Sequence, residues 1–247
     1  MPKPRPAASA TVRRFERTIT RTVGYKYLLS LPRDYRAAPR RRWPLLLFLH
    51  GAGERGDDVW SVARHGPPKL VRGEGLSARE RAAARILTRH FILVSPQCPK
   101  HDWWDTEALL ALIDEIEASH RVDHARVGVT GRSMGGYATW SLGTAYPERF
   151  AAMAPVCGGG EFTSAYRSNI HKRDALRRLP AWAFHGAKDP AVPLAESERM
   201  IALLKHLEVA EPRFTVYPEA AHDAWTEAYG TAGLFRWFLE QSLPPPA

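Results

Sequence analysis

Short apolar runs alternate with amphipathic stretches along most of this chain. Two runs, 45–49 and 91–94, are continuous, as expected of strands that are buried on both faces of a sheet. Between 109 and 116, apolar residues recur instead at the spacing of one helical face. Strands that alternate with helices form a mostly parallel sheet with helices on both faces. We therefore predict an α/β fold of this kind.

The same patterns predict further elements. Residues 11–18 and 25–31 are interpreted as leading strands, antiparallel at one edge of the sheet. A long loop is expected between the strand that ends at Leu49 and a helix over 77–89. The other predicted elements are a strand over 150–155 and helices over 194–207 and 225–239.

The length of 247 residues fits a single domain of this class. We predict that it covers residues 11–243, with disordered tails at 1–10 and 244–247, where proline is frequent. The stretch between Gly160 and Leu179 is long enough only for a small cap, so no large lid domain is expected.

Composition excludes few classes of protein. At 45% hydrophobic and 25% charged residues, the chain is typical of a globular domain. The net charge of +9 comes mostly from dispersed arginines and no nucleic-acid-binding motif accompanies it, so we interpret it as solvated surface and expect no nucleic-acid partner. The apolar runs are too short to span a membrane, and residues 1–6 lack the apolar core of a signal peptide. We therefore expect no membrane partner and a cytoplasmic location.

Cys98 and Cys157 follow apolar runs and are predicted to be buried free thiols.

The most informative motif is Gly131-Arg132-Ser133-Met134-Gly135. It follows an apolar run and opens a helix-like stretch, which is the setting of the G-x-S-x-G nucleophile turn. Glycine is needed two residues before and after the serine, because a side chain there would collide with the neighbouring strand or helix. The helix N-terminus also favours developing negative charge. Ser133 is thus a candidate nucleophile.

An acid and a histidine follow in the expected chain order. Asp189 comes after the strand-like run 181–185, and His222 after the last predicted strand, 214–217. Glu196 and Glu198 are rival acids, but they lie within a helical pattern and are expected to face solvent. These positions predict Asp189 as the orienting acid and His222 as the base.

Upstream, the run 45–49 ends in His50-Gly51-Ala52-Gly53. This matches the H-G-x-G loop, which lends a backbone N–H to an oxyanion hole. The two donors are predicted to be the N–H groups of Ala52 and Met134. Gly51 is predicted to line the site, and His50 to have a structural role. Glu54 and Arg55 are interpreted as a structural ion pair.

Other candidates have more ordinary interpretations. Trp103 and Trp104 either line a pocket for an aromatic group, or one lies in the core and the other on the surface. His120 and His124 lack a partner pattern for a metal, and no metal site is predicted. The glycines at 158–160 lack the rest of a phosphate loop and predict a tight turn near the pocket.

With these residues in place, the chain resembles α/β-hydrolases of the phospholipase/carboxylesterase and dienelactone-hydrolase-like group, and especially "predicted peptidase" and feruloyl-esterase-like members from bacteria. Besides the serine turn, the resemblance is carried by residues 50–56, 65–69, 95–99, 147–150, 154–160 and 222–225.

The resemblance implies an α/β-hydrolase fold and the same roles for Ser133, Asp189, His222, Ala52 and Met134. True dienelactone hydrolases use a cysteine nucleophile, so the serine argues against that activity. Arg132 departs from many relatives, which carry a smaller or apolar residue there, and it affects the shape of the pocket.

The sequence therefore predicts a serine carboxylic ester hydrolase that acts on small soluble short-chain or aryl esters, including hydroxycinnamoyl esters, through an acyl-serine intermediate. No cofactor or metal is required. The alternatives are a peptidase or thioesterase with the same triad, or a catalytically silent hydrolase fold that binds a ligand.

Overall fold

The computed structural model describes residues 11–245, and in this part of the chain seven strands form one sheet. The strands are β1 (Lys26–Ser30), β2 (Trp43–Leu49), β3 (Ile92–Gln97), β4 (Val122–Arg132), β5 (Ala152–Val156), β6 (Trp182–Gly186) and β7 (Arg213–Tyr217). Their order across the sheet is β1-β3-β2-β4-β5-β6-β7. Only β1 runs antiparallel, against β3, and the other neighbours are parallel. This confirms the predicted α/β fold.

Helices connect the parallel strands. They are α1 (Gly66–Arg72), α2 (Ala78–His90), α3 (Thr106–Ser119), α4 (Met134–Ala145), α5 (Phe162–His171), α6 (Arg173–Arg178), α7 (Ala195–His206), α8 (Trp225–Tyr229) and α9 (Ala232–Glu240). Alternate residues of β2 point into two separate apolar cores, one on each face of the sheet. Leu45, Leu47 and Leu49 lie in one core, and Leu46 and Phe48 in the other. The run is continuously apolar because both faces are covered.

Three predicted elements differ from the structure. Residues 11–18 form no strand and are fully exposed. Val12 and Phe15 would fall on opposite faces of a strand, so neither face offers a continuous apolar surface to bury. The predicted helix over 225–239 is two helices, because the chain breaks at Gly230 and Thr231, where the Thr231 hydroxyl accepts from the N–H of Gly233 and begins α9.

The loop predicted after β2 also contains more structure than expected. It holds two 3-10 turns, Ala52–Glu54 and Val59–Arg64, followed by α1. α1 has Pro67 and Pro68 in its first turn, where proline is tolerated because its missing N–H has no helical partner.

The predicted small cap consists of α5 and α6. At their junction, Lys172 donates to the carbonyl of Ala145, the last residue of α4. Because α4 begins next to Ser133, this junction lies at the far end of α4, about 17 Å away for a helix of this length. The cap is therefore no large lid. The predicted tails at 1–10 and 246–247 lie outside the described residues, and 244–245 have no regular structure.

Both cysteines are free and buried, as predicted. Burial raises the pKa of the Cys98 thiol to about 11 and that of Cys157 to about 12. None of the helices in the described range 11–245 is long and apolar enough to cross a membrane.

Candidate active site

Ser133 lies on a sharp turn between β4 and α4, at the carboxyl end of the sheet. Its backbone has φ 53° and ψ −120°, a conformation that L-residues rarely adopt and that costs conformational energy. The N–H of Ser133 donates to the carbonyl of Val156 at the end of β5, which fixes the turn against the next strand. The strained turn raises the hydroxyl above the sheet edge, as the motif predicts.

A chain of hydrogen bonds joins the three side chains that the sequence singles out. The Ser133 hydroxyl lies 2.9 Å from Nε2 of His222, and Nδ1 of His222 lies 2.7 Å from Oδ2 of Asp189. An ionised carboxylate can only accept, so Nδ1 carries the proton and Nε2 is free to accept from the serine. The loops after β4, β6 and β7 bring these residues together from distant parts of the sequence.

The environment keeps Asp189 ionised. Burial by itself would raise the pKa of this carboxyl, but hydrogen bonds from His222 and from the backbone N–H groups of Val192 and Ala191 outweigh it and hold the pKa below its usual range. The rival acids Glu196 and Glu198 lie on α7 instead, where Glu196 pairs with Arg199.

His185 is a supporting residue that the sequence analysis missed. It is fully buried at the end of β6, with Nε2 3.3 Å from Oδ2 of Asp189 and 3.0 Å from the carbonyl of Val192. Its Nδ1 lies 2.7 Å from the hydroxyl of Ser197, which donates to the carbonyl of Gly158. The packed turn at 158–160 is thereby tied to the acid loop. The signal available in the sequence was a histidine inside an otherwise apolar strand.

The loop at residues 50–54, called here the 50–54 loop, approaches the serine turn closely. A Cβ placed on Gly51 would lie 3.3 Å from the Cβ of Ser133. Ala52 and Met134 are the first residues of a 3-10 turn and of α4, and the first N–H of a helix has no partner within it. Both predicted donors are therefore at helix starts that flank the serine turn.

His50 supports this loop from below. Its buried ring accepts a hydrogen bond from the N–H of Cys98 at Nε2 and contacts the carbonyl of Gly51 through Nδ1. Burial lowers its pKa to about 4. The ring of Trp104 packs against the imidazole at a centroid distance of 4.8 Å, and its indole N–H donates to the carbonyl of His50.

The two tryptophans have different environments. Trp104 is 6% exposed and therefore does not line a pocket, which confirms the alternative in which one tryptophan lies in the core and the other on the surface. Trp103 is 58% exposed and packs edge-on against Tyr137, one turn after Ser133 on α4, at a centroid distance of 6.3 Å. An aromatic surface thus lies beside the serine turn.

The predicted ion pair between Glu54 and Arg55 does not form. Glu54 pairs instead with Arg132, while Arg55 donates to the carbonyls of Ala52 and Asp102. Arg132 is therefore a buried side chain paired with the end of the 50–54 loop.

Within residues 11–245, one cluster has three side chains that could ligate a metal, and it consists of Cys157, Asp189 and His222. Two of its members are the hydrogen-bonded acid and base. His120 and His124 do not belong to it.

Chemically, this arrangement offers a hydroxyl with an adjacent proton acceptor, an ionised acid behind that acceptor, and backbone N–H donors beside the hydroxyl. These are the parts needed for acyl transfer to serine.

Comparison with known proteins identifies the family of this chain. The model of the dienelactone hydrolase family matches residues 72–230, more than half of the chain. The protein described as "Probable feruloyl esterase C" from Aspergillus terreus is 27% identical over 176 residues, which are 69% of this chain and 57% of that protein. Its counterpart from Aspergillus niger is 25% identical over 84% of this chain and 71% of its own length. The chain thus spans less than two thirds of the first of these relatives.

Solved structures give the same picture. A thermostable esterase superposes with a TM-score of 0.71 at 30% identity, covering 87% of this chain and 59% of that one. A mutant of the feruloyl esterase module from Clostridium thermocellum, complexed with sinapinate, superposes with a TM-score of 0.63 over 90% of this chain and 86% of its own. At 16% identity it shows the fold alone.

Proposed function

The chain belongs to the dienelactone hydrolase family and is a hydrolase of the esterase type, and from this premise we propose that it is a serine carboxylic ester hydrolase acting on short-chain or aryl esters. Ser133 is the nucleophile, His222 the general base and acid, and Asp189 the acid that orients the imidazole. Serine at the nucleophile position agrees with ester hydrolysis rather than with the activity that gives the family its name.

The hydrogen-bonded chain from Ser133 through His222 to Asp189 carries this proposal. His222 takes the hydroxyl proton as the serine oxygen attacks the ester carbonyl. The carbonyl oxygen becomes an oxyanion held by the N–H groups of Ala52 and Met134. His222 then returns the proton to the leaving alcohol, and the acyl-serine forms. Water, deprotonated by His222, attacks this intermediate, and His222 returns that proton to the Ser133 oxygen as the acid is released.

The substrate class follows from the surface beside the serine. Trp103 and Tyr137 present an exposed aromatic wall, which suits a flat apolar group. The segment between Gly160 and Leu179 is rich in charge, and its helix junction sits at the far end of α4. The segment also exposes Phe162, Tyr166 and Ile170 on α5, but it is too short to form a large lid, and we propose that the site serves small soluble esters. Feruloyl esterases among the relatives make hydroxycinnamate esters the first aryl substrates to test.

The decisive experiment replaces the proposed nucleophile. Ser133→Ala is expected to lower kcat on 4-nitrophenyl acetate about a million-fold and to abolish labelling by a fluorophosphonate. The matched control is Ser95→Ala. Ser95 is a fully buried serine on β3 whose hydroxyl has no hydrogen-bond partner in the described part of the chain, so we expect its replacement to leave kcat unchanged.

The outcomes separate the alternatives. Activity that survives Ser133→Ala would refute the assignment of the nucleophile. A folded wild type that neither hydrolyses esters nor labels is a binding protein. Faster turnover of peptide amides or thioesters than of oxygen esters would make it a peptidase or thioesterase.

A further inference from the structure

A buried ion pair beneath the site has no part in the proton transfers. Arg132, next to Ser133 at the end of β4, pairs with Glu54 at the end of the 50–54 loop, and their side chains are only 6% and 3% exposed. Burial raises the pKa of Glu54 and lowers that of Arg132, and the opposite charge of the partner counteracts both shifts. Two charges have therefore been taken out of water together.

Stability alone does not account for this pair. A buried ion pair repays its desolvation only when further hydrogen bonds satisfy its remaining polar atoms, and apolar replacements of similar size are often neutral or stabilising. Within residues 11–245, the Nε of Arg132 has no hydrogen-bond partner. The histidines near Glu54 add little charge, because burial lowers the pKa of both His50 and His65 to about 4.

What distinguishes the pair is the set of groups that it contacts. The Arg132 guanidinium lies over the ring of Trp225, 4.2 Å from its centroid. Trp225 packs edge-on against the imidazole of His222, at a centroid distance of 5.1 Å and an angle of 86°. On the other side, a Cβ on Gly51 would lie only 3.0 Å from Nη1 of Arg132. The Arg132 side chain thus contacts both the 50–54 loop, which contains the Ala52 N–H, and the Trp225 ring, which packs against His222.

We propose that the Glu54–Arg132 pair positions the 50–54 loop and the His222 ring relative to Ser133. This inference rests on the proposed function. Glu54 holds the guanidinium from the loop, the planar guanidinium holds Trp225, and Trp225 limits the tilt of the imidazole. Arginine suits this role because a planar, permanently charged group can pair and stack at the same time.

The test is Arg132→Met, which keeps most of the volume but removes the charge and the planar fork. We expect kcat/KM on 4-nitrophenyl acetate to fall about 10- to 100-fold, the cost of a small misplacement of reacting groups. A trifluoromethyl ketone, which forms a tetrahedral adduct with the serine, should lose affinity by the same factor. The product 4-nitrophenol, which has no carbonyl oxygen to place in the oxyanion hole, should keep its affinity within about threefold.

Two further variants cover a failure of Arg132→Met to fold. Glu54→Gln should reproduce the split between the two inhibitors, and Arg132→Lys, which keeps the charge but not the stack, should recover only part of the activity. The control for an arginine-to-methionine change is Arg149→Met, since Arg149 pairs with Asp114 and Glu117 on the outer surface.

The proposal is overturned if Arg132→Met or Glu54→Gln folds and keeps native kcat/KM, or if both inhibitors lose affinity equally. The proposed function is tested by a different variant: it fails if activity survives Ser133→Ala. An inactive Ser133→Ala beside a fully active Arg132→Met refutes only the positioning role.

Discussion

Replacing Gly135 with alanine should damage both the fold and the site. Gly135 is the second residue of α4, and the Cβ of an alanine there would overlap the carbonyl group of Leu49 at the end of β2 and lie 2.7 Å from the carbonyl oxygen of His50. Both obstacles are backbone groups, so no side-chain rotation relieves them. Either α4 or the end of β2 must move by about an ångström or more.

The magnitude follows from that movement. Overpacking a rigid site costs about 1–3 kcal/mol, and occasionally more. We expect the upper end here, about 3 kcal/mol, because backbone lies on both sides of the contact. For a domain of this size, that lowers Tm by about 10 °C. The same shift separates Ser133 from the 50–54 loop, so kcat/KM should fall about 100-fold.

The matched control is Gly233→Ala. Gly233 is also the second residue of its helix, α9, but the nearest atom to an added Cβ is the Thr231 hydroxyl at 3.5 Å, an ordinary contact. This change should leave kcat/KM unaltered and stabilise the protein by up to about 1 kcal/mol. Thermal unfolding and ester hydrolysis measure both effects. If Gly135→Ala kept the wild-type Tm and kcat/KM, the packing of α4 against β2 described here would be incorrect.

Three further predictions concern the site. Ala52→Pro should lower kcat about 100-fold or more while Ala52→Gly has a mild effect, because only proline removes the proposed N–H donor; equal small effects with unchanged Tm would exclude it. Trp103→Ala should raise KM for methyl ferulate more than for 4-nitrophenyl acetate, and equal effects on the two would remove the aromatic wall. The pKa of His50 falls from 6.5 to about 4 on folding, so the native state binds fewer protons than the unfolded state between these pH values. The contribution of His50 to the free energy of unfolding is therefore complete above pH 6.5 and declines by up to about 3 kcal/mol as the pH falls to 4. Urea unfolding across this range should show the decline, and His50→Gln should reduce it, leaving the part that comes from His65, whose pKa is also lowered to about 4. An unchanged slope in the variant would assign the decline to other groups.

The parts of the site that could be predicted are those that end strands. Ser133, Asp189, His222 and Ala52 each follow an apolar run, and the carboxyl ends of parallel strands meet at one edge of a sheet. Chain order and this rule were enough to bring the four residues together before any coordinates were considered.

The parts that could not be predicted depend on the direction of side chains. Arg55 is adjacent to Glu54 in sequence, yet Glu54 pairs with Arg132, whose side chain is buried beside it at the end of β4. Likewise, Trp103 and Trp104 are neighbours in sequence but occupy surface and core. Periodicity does not show which of two adjacent residues turns inward when they lie in a loop.

The mispredicted elements share a physical cause. The apolar pattern of a segment does not show which other surface of the fold packs against it. The stretch 11–18 suggested a strand, but Val12 and Phe15 are almost fully exposed among the described residues. The apolar residues over 225–239 suggested one helix, whereas α8 and α9 bury their apolar faces in the same core from either side of a break at Gly230.

The two buried thiols have a practical consequence for covalent labelling. Thiolate is the reactive form of cysteine, and raised pKa values leave almost none of it at neutral pH. Maleimides and iodoacetamide should therefore leave the native protein unmodified, and a phosphonylating reagent should attach at a single position. Mass spectrometry of the intact protein can then count active sites directly, and a cysteine introduced on the surface would carry a fluorophore without first removing the native pair.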